Sequence, residues 1–386
     1  MPPAVPHEGR RRAITRDDAP AITLLLGVVT ALTWSALASG SYQRIVSTRW
    51  HLPVLGSLGV TSAHALVTSG LMTIFFFGVG LELTRERRTG ALAHWRLALA
   101  PVAGAIGGMA TTALLSLLAG LVLDSSALRR GWGVPMATDV AFTLGILALA
   151  GRRVPPTLRL FLLTLAVADD VLSVIVLAVT GASHPRMADV AVALGVTLLA
   201  VALSRRRRSA AWRILVLITL WCALALAHVE PPLAGILAAV VVPWDAHHAP
   251  RLEDGANRWS VVAVLPLFAL VSCGVVWSRL HDASTVLTIV LATIAIRLIG
   301  KTLGITGGVA LARLVHAHLD PALTWPIVAT ASTLCAIGFT VPLLFASALF
   351  PTTSATYGAL TVGLLAASLC AGVIGTILLR ILTRPG

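Results

Sequence analysis

The sequence predicts an all-α polytopic membrane protein of about twelve transmembrane helices, and three observations carry that prediction. Hydrophobic residues make up 57% of the 386 positions and charged residues only 12%, a balance that a water-soluble domain does not produce. Apolar runs of about 17 to 25 residues recur along the chain, each long enough as a helix to cross a hydrocarbon layer about 30 Å thick. Arginine runs punctuate these stretches, and no soluble domain fits between them.

Taken in order, the spans centre near residues 30, 75, 110, 142, 170, 196, 220, 238, 268, 297, 337 and 369. The first, from about Ala19 to Ala38, follows GRRR and resembles a secretory signal. Its apolar core exceeds the usual signal core of about 7 to 15 residues, which favours an uncleaved first span. The second ends in RERR at 85 to 88, the sixth and seventh flank RRRR at 205 to 208, and the last ends near Arg380 and Arg384. The fourth and eleventh carry interruptions considered below. This divides the chain into a tail at 1–18, one transmembrane domain at 19–383 and a short end at 384–386.

Orientation follows from the basic residues. Roughly 21 of them fall at one set of helix ends and roughly 6 at the other, which places the richer side, and both termini, in the cytoplasm. That bias, with attraction to anionic lipid, accounts for the net charge of +13 and removes the case for nucleic acid binding. Cys222, Cys273, Cys335 and Cys370 lie in apolar stretches without paired or zinc-type spacing and read as core residues. His247 and His248 share a short loop with no third ligand at metal spacing, so they read as solvated. No cofactor is expected.

Charges inside the spans carry the functional signal, because an ionised group at mid-bilayer costs several kcal/mol unless paired or hydrated. Five stand out: Asp139, Asp169, Asp170, Arg297 and Lys301. Counting about 1.5 Å per residue from the nearest cytoplasmic arginine puts Asp139, Asp169 and Lys301 at roughly 15 to 18 Å, one layer near the midplane. Lys301 is the chain's single lysine. An ammonium in low dielectric can release its proton where a guanidinium cannot, so it reads as a titrating group or as one half of a specific ion pair.

Asp169 and Asp170 are neighbours on a helix and point about 100° apart. One can face a hydrated cavity and bind a hard cation through oxygen, while the other turns into the bundle toward Lys301. Two close carboxylates repel, so protons compete with a metal ion for the site, which is the physics of an exchanger. Two segments read as interrupted helices: GVPMATDVAFTLG at 133 to 145, with Pro135 and Thr138 before Asp139, and CAIGFTVP at 335 to 342, with Gly338, Thr340 and Pro342. Paired broken helices beside membrane charges mark a transporter's binding site, and Asp139 and Lys301 could offset the partial charges of the half-helix ends.

At these residues the sequence resembles the NhaA-type sodium/proton antiporters. The matching stretches are FFFGVGLELTRE (75 to 86), AIGGM (105 to 109), ATDVAF (137 to 142), LAVADD (165 to 170), LAGI (233 to 236), LPLFA (265 to 269), GKTLGI (300 to 305) and IGFT (337 to 340). The resemblance implies inverted repeats with two broken helices crossing near mid-membrane. It implies Asp169 and Asp170 as the cation- and proton-binding site, Lys301 as the partner of Asp169, and Thr138, Asp139, Gly338 and Thr340 at the crossed helices. It also implies pH-regulated, electrogenic export of Na⁺ or Li⁺ against H⁺ by alternating access, in a bacterial inner membrane, often as a homodimer. Glu82, Glu86, Glu253 and Glu230 become the candidate pH-sensing residues.

Several positions depart from the family pattern. Ser69 stands where the family often has an aspartate, Glu230 replaces a histidine, Asp254 and Asn257 stand where some members have histidine, and GKTLG replaces GKPLG. Arg297 adds a charge one turn before Lys301, where it could act on Lys301 or compete for a carboxylate. The pH threshold is the property these changes touch. Another cation- or proton-coupled solute carrier and a nontransporting sensor of the same descent are the competing readings. An intramembrane acid/base enzyme is disfavoured, since adjacent aspartates diverge.

Overall fold

Each predicted span forms helix in the computed structural model, the eleventh interrupted at its centre; the structure describes residues 19–50, 56, 58–150, 155–180, 187–204, 209–242, 249–280, 282–315, 317 and 319–382. The arginine runs at 10–12, 151–153 and 205–208, the tail at 1–18, the end at 384–386, and His247 and His248 lie outside the described residues. Among the described residues, six helical stretches are long and apolar enough to cross a membrane: Ala63–Thr89, Trp95–Val122, Pro156–Thr180, Pro250–Arg279, Ala283–Leu314 and Ala355–Leu382.

The first half of the bundle comprises α1 (Ala19–Leu37), α2 (Met72–Thr89), α3 (Trp95–Val122), α4 (Val140–Ala150), α5 (Pro156–Thr180), α6 (Met187–Ser204) and α7 (Ala210–Leu226). After it come α8 (Leu233–Val241), α9 (Ala249–Trp259), α10 (Leu265–Ser272), α11 (Ala283–Leu314), α12 (Trp325–Leu334), α13 (Thr340–Leu349) and α14 (Ala355–Leu382). Local chemistry sets the ends. Pro156 opens α5 where a missing N–H costs nothing, Ser209 caps α7 by accepting from Trp212 N, and Asp282 caps α11 by accepting from Thr285 N. The order long helix, interrupted pair, long helix occurs twice, as α3 to α5 and as α11 to α14, which is the pattern of a repeat.

The seam between α3 and α11 sets the depth of the site. A Cβ on Gly107 would overlap the carbonyl oxygen of Gly304, and one on Gly304 would overlap that of Gly107. Without side chains at these two positions the backbones touch, the close approach by which membrane helices gain dispersion contacts that lipid cannot match. The outer faces of the long helices carry exposed Leu121, Leu311 and Leu369, a surface suited to hydrocarbon rather than water.

Both interruptions fall close to their expected places. After the short helix Ser126–Arg130, residues 131–139 run without regular helix until α4 begins at Val140. Pro135 withholds a donor there, and a Cβ on Gly133 would come 2.7 Å from the Phe345 ring. On the other side α12 stops at Leu334 and α13 starts at Thr340. Pro342 is the exception to the sequence reading: it lies in the first turn of α13, where proline is tolerated, and the break precedes it. The two interrupted stretches bond directly, with Asp139 N donating to Ile337 O at 2.8 Å and Thr138 Oγ1 to Cys335 O at 2.9 Å.

Candidate exchange site

Helix α5 carries Asp169 and Asp170 past this crossing. Asp169 is fully buried and has two partners. Lys301 Nζ, from α11, donates to Oδ1 at 2.9 Å, and the backbone N–H of Thr138 donates to Oδ2 at 2.7 Å. Lys301 is itself 0% exposed, so the pair sits where charge–charge attraction is strong and no water competes. Asp170 is 6% exposed; among the described residues its carboxylate has no hydrogen bond or ion pair, and its own carbonyl accepts from Ser173 Oγ at 3.0 Å. The divergence of adjacent helical side chains is thus visible: one carboxylate is tied down and the other keeps its oxygens free.

Asp139 closes the other flank. It precedes the first turn of α4, its Oδ1 accepts from Phe142 N at 3.4 Å, and its Oδ2 accepts from Thr340 Oγ1 at 3.3 Å. A carboxylate at a helix N-terminus meets unpaired N–H groups and the positive end of the dipole. Gly338 N donates to Ser368 Oγ at 3.1 Å, and that hydroxyl returns a bond to Gly338 O at 3.2 Å, tying the second break to α14.

The carbonyl-rich side of the crossing is held by Arg297, a role that the sequence reading did not assign to it. Arg297 is 0% exposed, and its guanidinium donates to Ala336 O at 2.8 Å, Pro135 O at 3.0 Å and Ala137 O at 2.9 Å. Its partners are carbonyl oxygens, and among the described residues it shares no carboxylate with Lys301. Five N–H donors in a planar fork suit three converging carbonyls, whereas one ammonium on Asp169 could not also span them.

A second acidic group lies at the far end of α2. Arg85 holds Glu82 at 3.6 Å, Glu86 at 3.9 Å and, across to α9, Glu253 at 3.4 Å. Glu86 Oε2 also accepts from Ala91 N at 3.1 Å, securing the turn into α3. Glu230 sits apart, in the turn between α7 and α8, where burial pushes its carboxyl up to about 7. Ser69 lies in a π-helical turn before α2, and its carbonyl accepts from Trp221 Nε1 at 2.7 Å.

Sequence reasoning missed Ser368 and the partners of Arg297. A serine in an apolar helix gives no signal, and carbonyl acceptors have no residue type.

Comparison with known proteins agrees with this geometry. The profile of a family described as Na+/H+ antiporter 1 matches residues 11–379. Among curated relatives, the Na(+)/H(+) antiporter NhaA of Escherichia coli (strain K12) is 36% identical over 385 residues, covering 97% of this chain and 98% of its own. An Na(+)/H(+) antiporter NhaA 1 of Kineococcus radiotolerans is 35% identical, covering 96% and 90%, and one of Erythrobacter litoralis is 34% identical, covering 96% and 93%. A match over nearly the whole length, on a helical bundle with two crossed breaks, places this chain in the NhaA-type Na+/H+ antiporter family.

Proposed function

We propose that the protein exports Na⁺ or Li⁺ in exchange for H⁺ by alternating access, with Asp169 and Asp170 as the cation- and proton-binding pair. The observation that carries this reading is the asymmetry of that pair: Asp169 is locked to Lys301 at 2.9 Å, while Asp170 keeps unengaged carboxylate oxygens beside it. Oxygen ligands suit a hard monovalent cation. From the inward-facing side Na⁺ displaces protons from the carboxylates, the bundle rearranges, and protons displace Na⁺ on the other side. Lys301 pairs with ionised Asp169 and separates from it once Asp169 is protonated, so the two loaded states differ in charge and the exchange is electrogenic.

The Glu82, Glu86 and Glu253 group around Arg85 is the proposed pH-responsive surface, with Glu230 as a second titrating point. The protein works in a bacterial inner membrane with both termini cytoplasmic, surrounded by lipid and as a homodimer. In everted vesicles Asp170→Asn should abolish the Na⁺-dependent dequenching of a ΔpH dye; undiminished exchange would sink the assignment.

A further inference from the structure

Arg297 does more than fill space at the crossing. Its Nη2 donates to the carbonyl of Ala137 at 2.9 Å, and the N–H on the other end of that same peptide group, Thr138 N, donates to Asp169 Oδ2 at 2.7 Å. Guanidinium, peptide and carboxylate therefore form one chain of hydrogen bonds. A positive charge on the carbonyl end polarises the peptide and makes its N–H a stronger donor, an effect that grows in a low-dielectric interior. The other two donors hold the same arrangement: Nη1 fixes Pro135 O two residues upstream at 3.0 Å, and Nε reaches Ala336 O on the opposite break at 2.8 Å. The local backbone is shaped around this group, since a Cβ on Gly338 would overlap Nη2 and come 2.5 Å from Ala137 O.

We propose that Arg297 is a positioning residue for the exchange site, holding the Asp169 carboxylate in its cation-competent geometry through the Ala137–Thr138 peptide. This rests on the assignment of exchange to Asp169 and Asp170. Asp169 is gripped from two sides by different devices: Lys301 takes Oδ1 and can leave, while the peptide takes Oδ2 and stays. Arg297 thereby supplies a standing positive charge that does not depend on the Lys301 contact. The charged and titratable groups facing Asp169 from its surroundings are Lys301 and Arg297 on α11, Asp139 at the first break, Cys335 at the second and Asp170 beside it, with Glu82 of α2 facing Asp170.

The test compares Arg297→Gln, which keeps amide donors without charge, with Arg297→Lys, which keeps charge without the fork. Na⁺/H⁺ exchange is measured in everted vesicles by Na⁺ titration at fixed pH, with the folded amount read by fluorescence-detected gel filtration. R297Q should raise the apparent KM for Na⁺ about tenfold while most of the maximal rate at saturating Na⁺ is kept, and R297K, with charge but a single ammonium for three carbonyls, should raise it about threefold. A folded R297Q with an unchanged KM, or with a loss confined to the maximal rate, overturns the proposal. Should R297Q not be recovered folded, R297K decides alone: a raised KM supports the proposal, and an unchanged KM overturns it. Wild-type exchange and its loss in Asp170→Asn, measured in parallel, separate failure of the site assignment from failure of this inference.

Discussion

Breaking the Lys301–Asp169 pair from one side should destabilise the protein far more than replacing both partners. Both side chains are 0% exposed and the contact is 2.9 Å. Asp169→Asn leaves Lys301 facing an uncharged amide with no water to replace the lost carboxylate, and Lys301→Met leaves Asp169 with only the Thr138 N–H. Removing one member of a buried ion pair costs about 3 to 5 kcal/mol, whereas replacing both with neutral groups of similar volume is close to neutral. In the double variant the new side-chain amide would still accept from Thr138 N, and methionine fills the volume of the lysine stem. At about 1.2 °C per kcal/mol for a chain of 386 residues, each single variant should melt about 4 to 6 °C below the wild type. The double variant should recover most of that loss while remaining inactive. Thermal melts of detergent-solubilised protein at fixed pH measure this. Additive losses in the double variant would refute the reasoning, because they would mean the two groups contribute independently.

Two further outcomes follow from the structure. Burial pushes the Glu230 carboxyl up to about 7 from an ordinary 4.5, so its contribution to stability is fully present below about pH 4.5 and is lost as pH rises through 7. Glu230→Gln should melt like the wild type at pH 4.5 and be more stable above pH 8 by about 1 to 2 kcal/mol once solvent screening is counted; equal differences at both pH values would contradict it. On the α3–α11 seam, Gly304→Leu would drive a side chain into the Gly107 carbonyl and Thr111, whereas Gly307 has open space around it. Gly304→Leu should therefore abolish recovery of folded protein, and Gly307→Leu should be tolerated; equal behaviour of the two would mean that this contact is not what positions the helices.

The helices, the paired aspartates and the breaks were legible because each contrasts with its background. A carboxylate in a run such as LAVADDVLSV needs a partner, and the one lysine in a chain of arginines stands out as the candidate. The positions of Pro135 and Thr138 before Asp139 likewise locate the first break. Arg297 was legible as a charge but not as a contact, because its acceptors are the carbonyls of Pro135, Ala137 and Ala336. Carbonyl groups belong to every residue, and they converge only once the chain has crossed itself. The π-helical turns at Leu66–Leu71 and Ser260–Val264 have no residue signature for the same reason: a shift in backbone register changes no side chain.

The division between Arg297 and Lys301 bears on how charge moves through the site. Among the described residues, five acidic and basic side chains are buried around the crossing: Asp139, Asp169, Asp170, Arg297 and Lys301. With all of them ionised, three negative charges face two positive ones, so a single bound monovalent cation makes the centre neutral. With protons on Asp169 and Asp170 instead, Asp139 faces both cations and the centre carries one positive charge. Under the alternating access proposed for this pair, the two loaded states would differ by one charge, which would make the exchange sensitive to membrane potential. Arg297 cannot supply the variable element, because a guanidinium stays charged and its fork is committed to three carbonyls. The charge tied to the backbone therefore belongs to the residue that braces the crossing, and the charge whose one contact is a carboxylate belongs to the lysine.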